Sequence, residues 1–167
     1  MAEDYVKREM YLVDLNGSNN EGDIDYKYLK IQFVPEEIEI DPGSSWVPIA
    51  SVGRNNPFYH YTGGEDTVVF TLDWHAMDEA VESVIKSCKW VEALTRNDGY
   101  KGEIHKVKLI WGDLFQDSTW IVSSAPYKLS QFHASKGMKP RQAYQEITLK
   151  RVIDHNRTRA EILNIHS

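Results

Sequence analysis

Six histidines, one cysteine and 25 carboxylates are the groups with which this chain could do chemistry. The histidines are His60, His75, His105, His133, His155 and His166, and only the run His75-Ala76-Met77-Asp78-Glu79 sets a ligand-type residue beside carboxylates. A metal site needs three or four converging ligands at defined spacing. Asp78 and Glu79 instead open an expected helix, where negative charge already has a role against the helix dipole. Asp73 and Asp113 stand near strand ends as candidate catalytic carboxylates, and nothing in the sequence pairs them. Gly63-Gly64 lacks the following Lys-Ser/Thr or the wider glycine spacing of a phosphate loop, and no nucleophile elbow is present. Cys88 falls on the apolar stripe of the expected helix and reads as core. As the one cysteine it excludes an internal disulfide and a cysteine-cluster zinc site. Asn156-Arg157-Thr158 has the glycosylation spacing, which is accidental without a signal peptide. The reading is a non-enzyme, with no catalytic residue, cofactor or metal.

The element that organises the rest runs from Gly53 to Trp74. Val68, Phe70, Leu72 and Trp74 alternate with Val69, Thr71 and Asp73, which puts an apolar row on one face of a strand. Gly63-Gly64 supplies the positive φ of a tight connection, so Tyr59-His60-Tyr61-Thr62 is expected to form a hairpin with that strand. Earlier strands are expected over 10–15 and over 28–33, the latter with Leu29, Ile31 and Phe33 on one face. Pro35 stops it, because proline cannot donate to a ladder. Residues 37–41 suit an exposed edge strand. The stretch 42–57, rich in proline and glycine, is a loop or irregular edge strand with the character of a contact arm.

A helix is expected over 78–97, with Val81, Val84, Ile85, Cys88, Val91 and Leu94 or Thr95 on one stripe. Asn97-Asp98-Gly99 ends it. Trp90 falls outside the main stripe, as a contact residue or, more commonly, as an aromatic at the stripe's edge. Strands then follow at 106–111 (Val107, Leu109 and Trp111 inward), 120–124, 127–133 and 143–152, the last with Ile147 and Leu149 inward. Strands, one helix, then strands again indicate a mainly β (α+β) fold, an antiparallel β-sandwich or open barrel with one flanking helix.

The chain has 167 residues, 41% hydrophobic and 26% charged, enough for one domain with its own core. No apolar run approaches the roughly 20 residues of a membrane-spanning helix, and residues 1–17 carry early acids and no signal core. Residues 1–80 hold 16 acids and 5 bases, and residues 81–167 hold 9 acids and 14 bases, net −11 and +5 within the total of −6. Such a split fits one acidic and one basic face, or opposite poles of neighbouring copies meeting head to tail. No basic stretch is dense enough for sequence-specific nucleic-acid binding.

Several segments, in order, resemble the tube-type proteins at the baseplate end of contractile phage tails and related injection systems. They are Ile31-Gln32-Phe33-Val34-Pro35-Glu36-Glu37-Ile38, then Gly53-Arg54 to Pro57, then Tyr61-Thr62-Gly63-Gly64-Glu65-Asp66 leading into Phe70-Thr71-Leu72-Asp73. After the helix come Leu109-Ile110-Trp111-Gly112, the strand near Trp120, Phe132, and Gly137-Met138-Lys139-Pro140-Arg141-Gln142-Ala143. The motif positions are thus Pro35, Gly53, Arg54, Tyr61, Gly63, Gly64, Trp111, Gly112, Pro140 and Arg141, across about residues 28–152.

What the resemblance implies is a tail-tube β domain over 1–152, with 1–26 as arm and loop and 153–167 as a tail. It implies a six-membered ring joining the baseplate hub and spike to the tail tube, or starting that tube. Partners would be further copies of this chain, the tail tube protein, hub and spike proteins and baseplate wedge proteins. DNA would be passing cargo only, with no membrane partner. The expected place is the virion tail, after assembly in the host bacterial cytoplasm. Many members carry a LysM module; none follows the last matched strand here, so its docking role falls to another protein or to the tail. The acidic N-terminal half is expected to line most of the lumen. The alternatives are the major tube subunit, a transient tail-assembly or completion factor, and a carbohydrate-binding module suggested by five tryptophans and nine tyrosines. The last would need Trp46, Trp90 and Trp120 coplanar and exposed.

Overall fold

The computed structural model describes residues 9–15, 28–76, 82–98, 103–115 and 118–152. The strands are β1 (Met10–Asp14), β2 (Tyr28–Lys30), β3 (Glu39–Pro42), β4 (Ser45–Ile49), β5 (Phe58–Gly63), β6 (Asp66–His75), β7 (Asn97–Asp98), β8 (Glu103–Ile104), β9 (Lys106–Trp111), β10 (Thr119–Ser124), β11 (Tyr127–His133) and β12 (Lys139–Val152). The helix α1 spans Glu82–Leu94. The main sheet is antiparallel, in the order β2-β1-β9-β10-β12-β6-β3, and β11 also pairs with β12. The expected mainly β fold with one helix is present, and the sheet does not close into a barrel.

One side of the sheet is apolar on almost every strand. Met10 and Leu12 of β1, Val68, Phe70, Leu72 and Trp74 of β6, Val107 and Leu109 of β9, Trp120 and Val122 of β10, and Ala143, Ile147 and Leu149 of β12 are all buried. Each such aliphatic side chain contributes about 1.5–3 kcal/mol on burial. Helix α1 lies over β12, β10 and β6 and seals this face with Val84, Cys88, Val91 and Leu94, spaced three or four residues apart. Trp90 is half-buried and packs against the core from the edge of that stripe.

Among the described residues, one polar side chain is completely buried in this core. Gln145 is fully buried; its Oε1 accepts from Trp74 Nε1 at 3.2 Å, and its Nε2 donates to the carbonyls of Cys88 at 3.2 Å and Ala125 at 3.4 Å. A buried amide is tolerated only when its groups are satisfied. Here the partners come from sheet, helix and a strand junction, so Gln145 fixes where the helix sits.

Several expectations need correction. Tyr59–Thr62 does not pair with the 66–74 strand, because β5 pairs with β4 and β6 pairs with β12 and β3. The chain runs straight through Gly63-Gly64, and its reversal lies further back, at 50–57. Pro42 faces Asp66 and Ser45 faces Gly63, so β3–β4 and β5–β6 form one long hairpin with a one-residue shift between Ser45 and Trp46. The 42–57 stretch therefore holds a regular strand, β4, within that hairpin. The strand expected over 28–33 stops at Lys30; the chain bends at Gln32 and Phe33, and Phe33 is exposed. The helix ends at Leu94 rather than at 97, because Thr95 and Arg96 form a tightened turn by donating to the carbonyls of Glu92 and Ala93, each at 3.0 Å. Asn97 and Asp98 instead pair with β8. The expected helix start at 78–81 and the tail at 153–167 lie outside the described residues. In the arm over 1–26, residues 10–14 are a strand in the sheet, between β2 and β9.

Candidate functional site

The outer part of the long hairpin is a two-stranded ribbon, β4 and β5, that pairs with no other strand among the described residues. Eight residues separate Asp66 from Phe58, so the ribbon extends on the order of 25 Å past the sheet. Trp46 faces Tyr61 and Pro48 faces Tyr59 on one side; Val47 faces His60 and Ile49 faces Phe58 on the other. All eight side chains are exposed, and Arg54 is the one Lys, Arg, Asp or Glu between Ser45 and Gly63. A water-facing ribbon ordinarily carries charge on one face and along its edges. This one is apolar on both.

The motif residues shape that ribbon. Gly53, with φ 86°, turns its tip. The Arg54 guanidinium lies 4.3 Å from the centroid of the Phe58 ring, and Tyr61 and Trp46 have ring centroids 5.1 Å apart. Gly63 takes φ 127°, which favours glycine. At Gly64 a Cβ would stand 2.3 Å from the Gly43 carbonyl oxygen, and at Gly43 one would stand 2.7 Å from that of Glu65. The two strands are thus pinched together at a waist of two glycines, tied by Gly43 N–H to the Glu65 carbonyl at 3.0 Å.

The other motif positions lie elsewhere. Trp111 ends β9 and is half-buried, and Gly112 follows it in the turn at φ 54°. Pro140 is buried opposite Phe132, and the Arg141 carbonyl accepts from Ala76 N–H at 2.7 Å. Both belong to a second long hairpin. There β10 and β11 run along β12 with only residues 125–126 between them, and the turn covers 134–138. Because β6 and β12 are antiparallel, this turn leaves the sheet at the end opposite the ribbon. Pro35 lines a groove beside β3. The motif residues therefore mark two hairpins, a strand end and a groove rather than one pocket.

The helix-free face of the sheet holds a polar cluster that joins Asp73 and His75, which the sequence singled out only separately. His75 Nε2 lies 2.9 Å from Asp73 Oδ2, so Asp73 has a partner after all. Gln142 Nε2 sits among Asp73 Oδ1 at 3.3 Å, His75 Nε2 at 3.2 Å and the Tyr144 hydroxyl at 2.5 Å. Gln131 Nε2 donates to Gln142 Oε1 at 2.9 Å. Alternation along β6 and β12 puts these groups on one face, but their partnering depends on the β6–β12 register, which no local pattern specifies. The pair Asp73–His75 faces no Ser, Cys or Thr hydroxyl or thiol in these contacts. Among the described residues no three His, Cys, Asp or Glu side chains gather as a metal site. Asp78 and Glu79 lie outside those residues. Trp120 is buried and Trp90 half-buried, so they form no exposed platform with Trp46.

No family model matches the chain, and no curated protein matches it. Among solved structures, it is similar to a chain in the tail of an empty gene transfer agent particle with C6 symmetry, at 14% identity and TM-score 0.42, over 90% of this chain and 95% of that one. A chain of the native gene transfer agent virion matches at 12% identity and TM-score 0.41, over 88% and 92% respectively. A chain of the extended sheath–tube complex of an extracellular contractile injection system, PVC, matches at 16% identity and TM-score 0.37, over 89% and 86%.

Proposed function

We propose that this chain is a structural subunit of a contractile tail, acting by packing against other subunits and not by catalysis. In this reading about six copies form a closed ring that joins the baseplate hub and spike to the tail tube, or starts the tube. The ordered run of tail-type motifs between residues 28 and 152 supports the assignment. The observation that carries it is the ribbon: a two-stranded element is marginal alone in water, and one with apolar side chains on both faces gains stability only when a neighbour covers it. Its partners would be further copies, the tube protein, the hub and spike, and wedge proteins. DNA would pass through without being held, with the acidic N-terminal half lining most of the lumen; a ring with a strongly positive lumen would overturn that last point.

The test is the copy number of this chain in purified particles, by quantitative mass spectrometry against the main tube protein. About six copies against many multiples of six supports one ring at the hub. Parity with the tube protein makes this the tube subunit, and absence from the finished particle makes it an assembly factor.

A further inference from the structure

We propose that the groove beside β3 receives the basic hairpin tip of a second copy of this chain. The inference rests on the self-assembly reading above and names the contact that reading leaves open. The groove, about 670 Å³, opens on the helix-free face next to the edge strand. Ile38 and Val69 give it an apolar lining, and Glu36, Glu37, Glu39 and Glu146 ring it with carboxylates. All four glutamates are exposed, and among the described residues none is paired with a basic side chain. Among the described residues β3 pairs with β6 alone, which leaves its other backbone edge open.

The tip has the complementary chemistry. Residues 134–138 are all exposed, and Lys136, Lys139 and Arg141 concentrate positive charge around them. Met138 closes the turn, its N–H donating to the His133 carbonyl at 3.1 Å, and takes φ 56° directly after Gly137 at φ 70°. A left-handed methionine is an uncommon backbone state, and strain of this kind persists where a side chain is held in a required place. Here it holds an adaptable apolar side chain, 60% exposed, among cations. That combination matches a groove with an apolar lining and an acidic rim.

The occupant has to come from another copy. Lys139 and Glu146 lie on the same strand, β12, seven residues apart, a separation of about 23 Å that a paired strand cannot fold back across. The tip lies at the end of a central strand and the groove at the sheet's edge. The contact is therefore heterologous, and repetition closes a ring or extends a column.

Two preparations, one with ordinary and one with heavy nitrogen, are mixed and treated with a carbodiimide, which couples carboxylates to lysine amines. Mixed-isotope cross-links from Lys136 or Lys139 to Glu36, Glu37, Glu39 or Glu146 are expected. Reversal of the tip (K136E/K139E/R141E) or of the groove (E36K/E37K/E39K) lowers self-association at least about tenfold at low salt. Mixing the two reversed proteins, or combining both sets in one chain, restores it. The neutral K136Q/R141Q protein, with exposed sites only, provides a milder variant should the reversals perturb folding. If the tip-reversed protein associates like the wild type, the groove contact is wrong and self-assembly stands. If the wild type gives no mixed-isotope cross-link at any site, even at high concentration, both readings fall.

Discussion

The side-chain amide of Gln32 holds the backbone of His75 by both of its groups. Nε2 donates to the His75 carbonyl and Oε1 accepts from the His75 N–H, each at 2.9 Å. Phe33 adds an edge-on contact to the His75 ring, with centroids 5.5 Å apart. Gln32 is only two residues past β2, a reach of about 7 Å, yet β6 is five strand spacings away across the sheet, about 24 Å if it were flat. The sheet must therefore be rolled. Gln32 replaces a neighbouring strand at the end of β6 and links the two sides of the open barrel without closing it.

Replacing Gln32 with Ala strands both His75 backbone groups and is expected to lower unfolding free energy by about 1–3 kcal/mol. Gln32→Glu keeps the acceptor and loses the donor, so it should fall between wild type and Ala. Urea unfolding of the three proteins gives the order. A Gln32→Ala protein as stable as the wild type would show that the roll is set elsewhere.

The glycine waist makes an equally local claim. Gly64→Ala would drive a Cβ into the Gly43 carbonyl, so β4 and β5 must separate at their base. We expect backbone amides of the ribbon to lose hydrogen-exchange protection while those of β6 and β12 keep theirs. Gly137→Ala is the comparison: open space surrounds that position, but φ is +70°, and the cost is on the order of 1 kcal/mol with no effect on the ribbon.

Much of the fold was legible in the sequence because burial writes itself into periodicity. The β6 row of Val68, Phe70, Leu72 and Trp74, the helix stripe through Cys88, and the Ile147–Leu149 face of β12 lie where alternation or helical spacing puts them. Strand partners were not legible. Gly63-Gly64 suggested a reversal, since positive φ and a Gly-Gly pair are turn signals, but the physical demand was close approach of two backbones at Gly43. The exposed strands β4 and β5 have no inside to mark, so no alternation revealed them as a ribbon. The Gln32–His75 link and the Gln145 junction depend on residues 43 and 71 positions apart, beyond any local pattern.

For the ribbon aromatics, stability and assembly should separate. Trp46 and Tyr61 are both more than half exposed, so Trp46→Ser and Tyr61→Ser should each lower unfolding free energy by no more than about 1 kcal/mol. The same variants should be incorporated poorly into particles. Normal incorporation of a doubly substituted protein would remove the ribbon from the interface.

Cys88 gives a pH signature. Burial pushes its thiol up to about 11, from an ordinary value near 9. Between those values the unfolded chain releases the proton and the folded one retains it, so this group makes stability fall as pH rises from about 9 through 11. Below pH 9 it contributes no slope. Iodoacetamide should label Cys88 in urea and leave the native protein unlabelled at pH 8, and Cys88→Ala should flatten the stability profile above pH 9. Rapid native labelling would contradict the buried, neutral thiol.

The unbroken run from ribbon to sheet has a mechanical consequence. Strand β5 passes through the waist into β6 without reversing, and β6 is registered against β12 over nine residue pairs. Antiparallel hydrogen bonds lie perpendicular to the strands. A pull along the ribbon would therefore load the β6–β12 ladder in shear, many bonds at once, rather than peel them apart one by one. The exposed ribbon is thus anchored in its most resistant direction, and tension applied there would be delivered to the centre of the sheet.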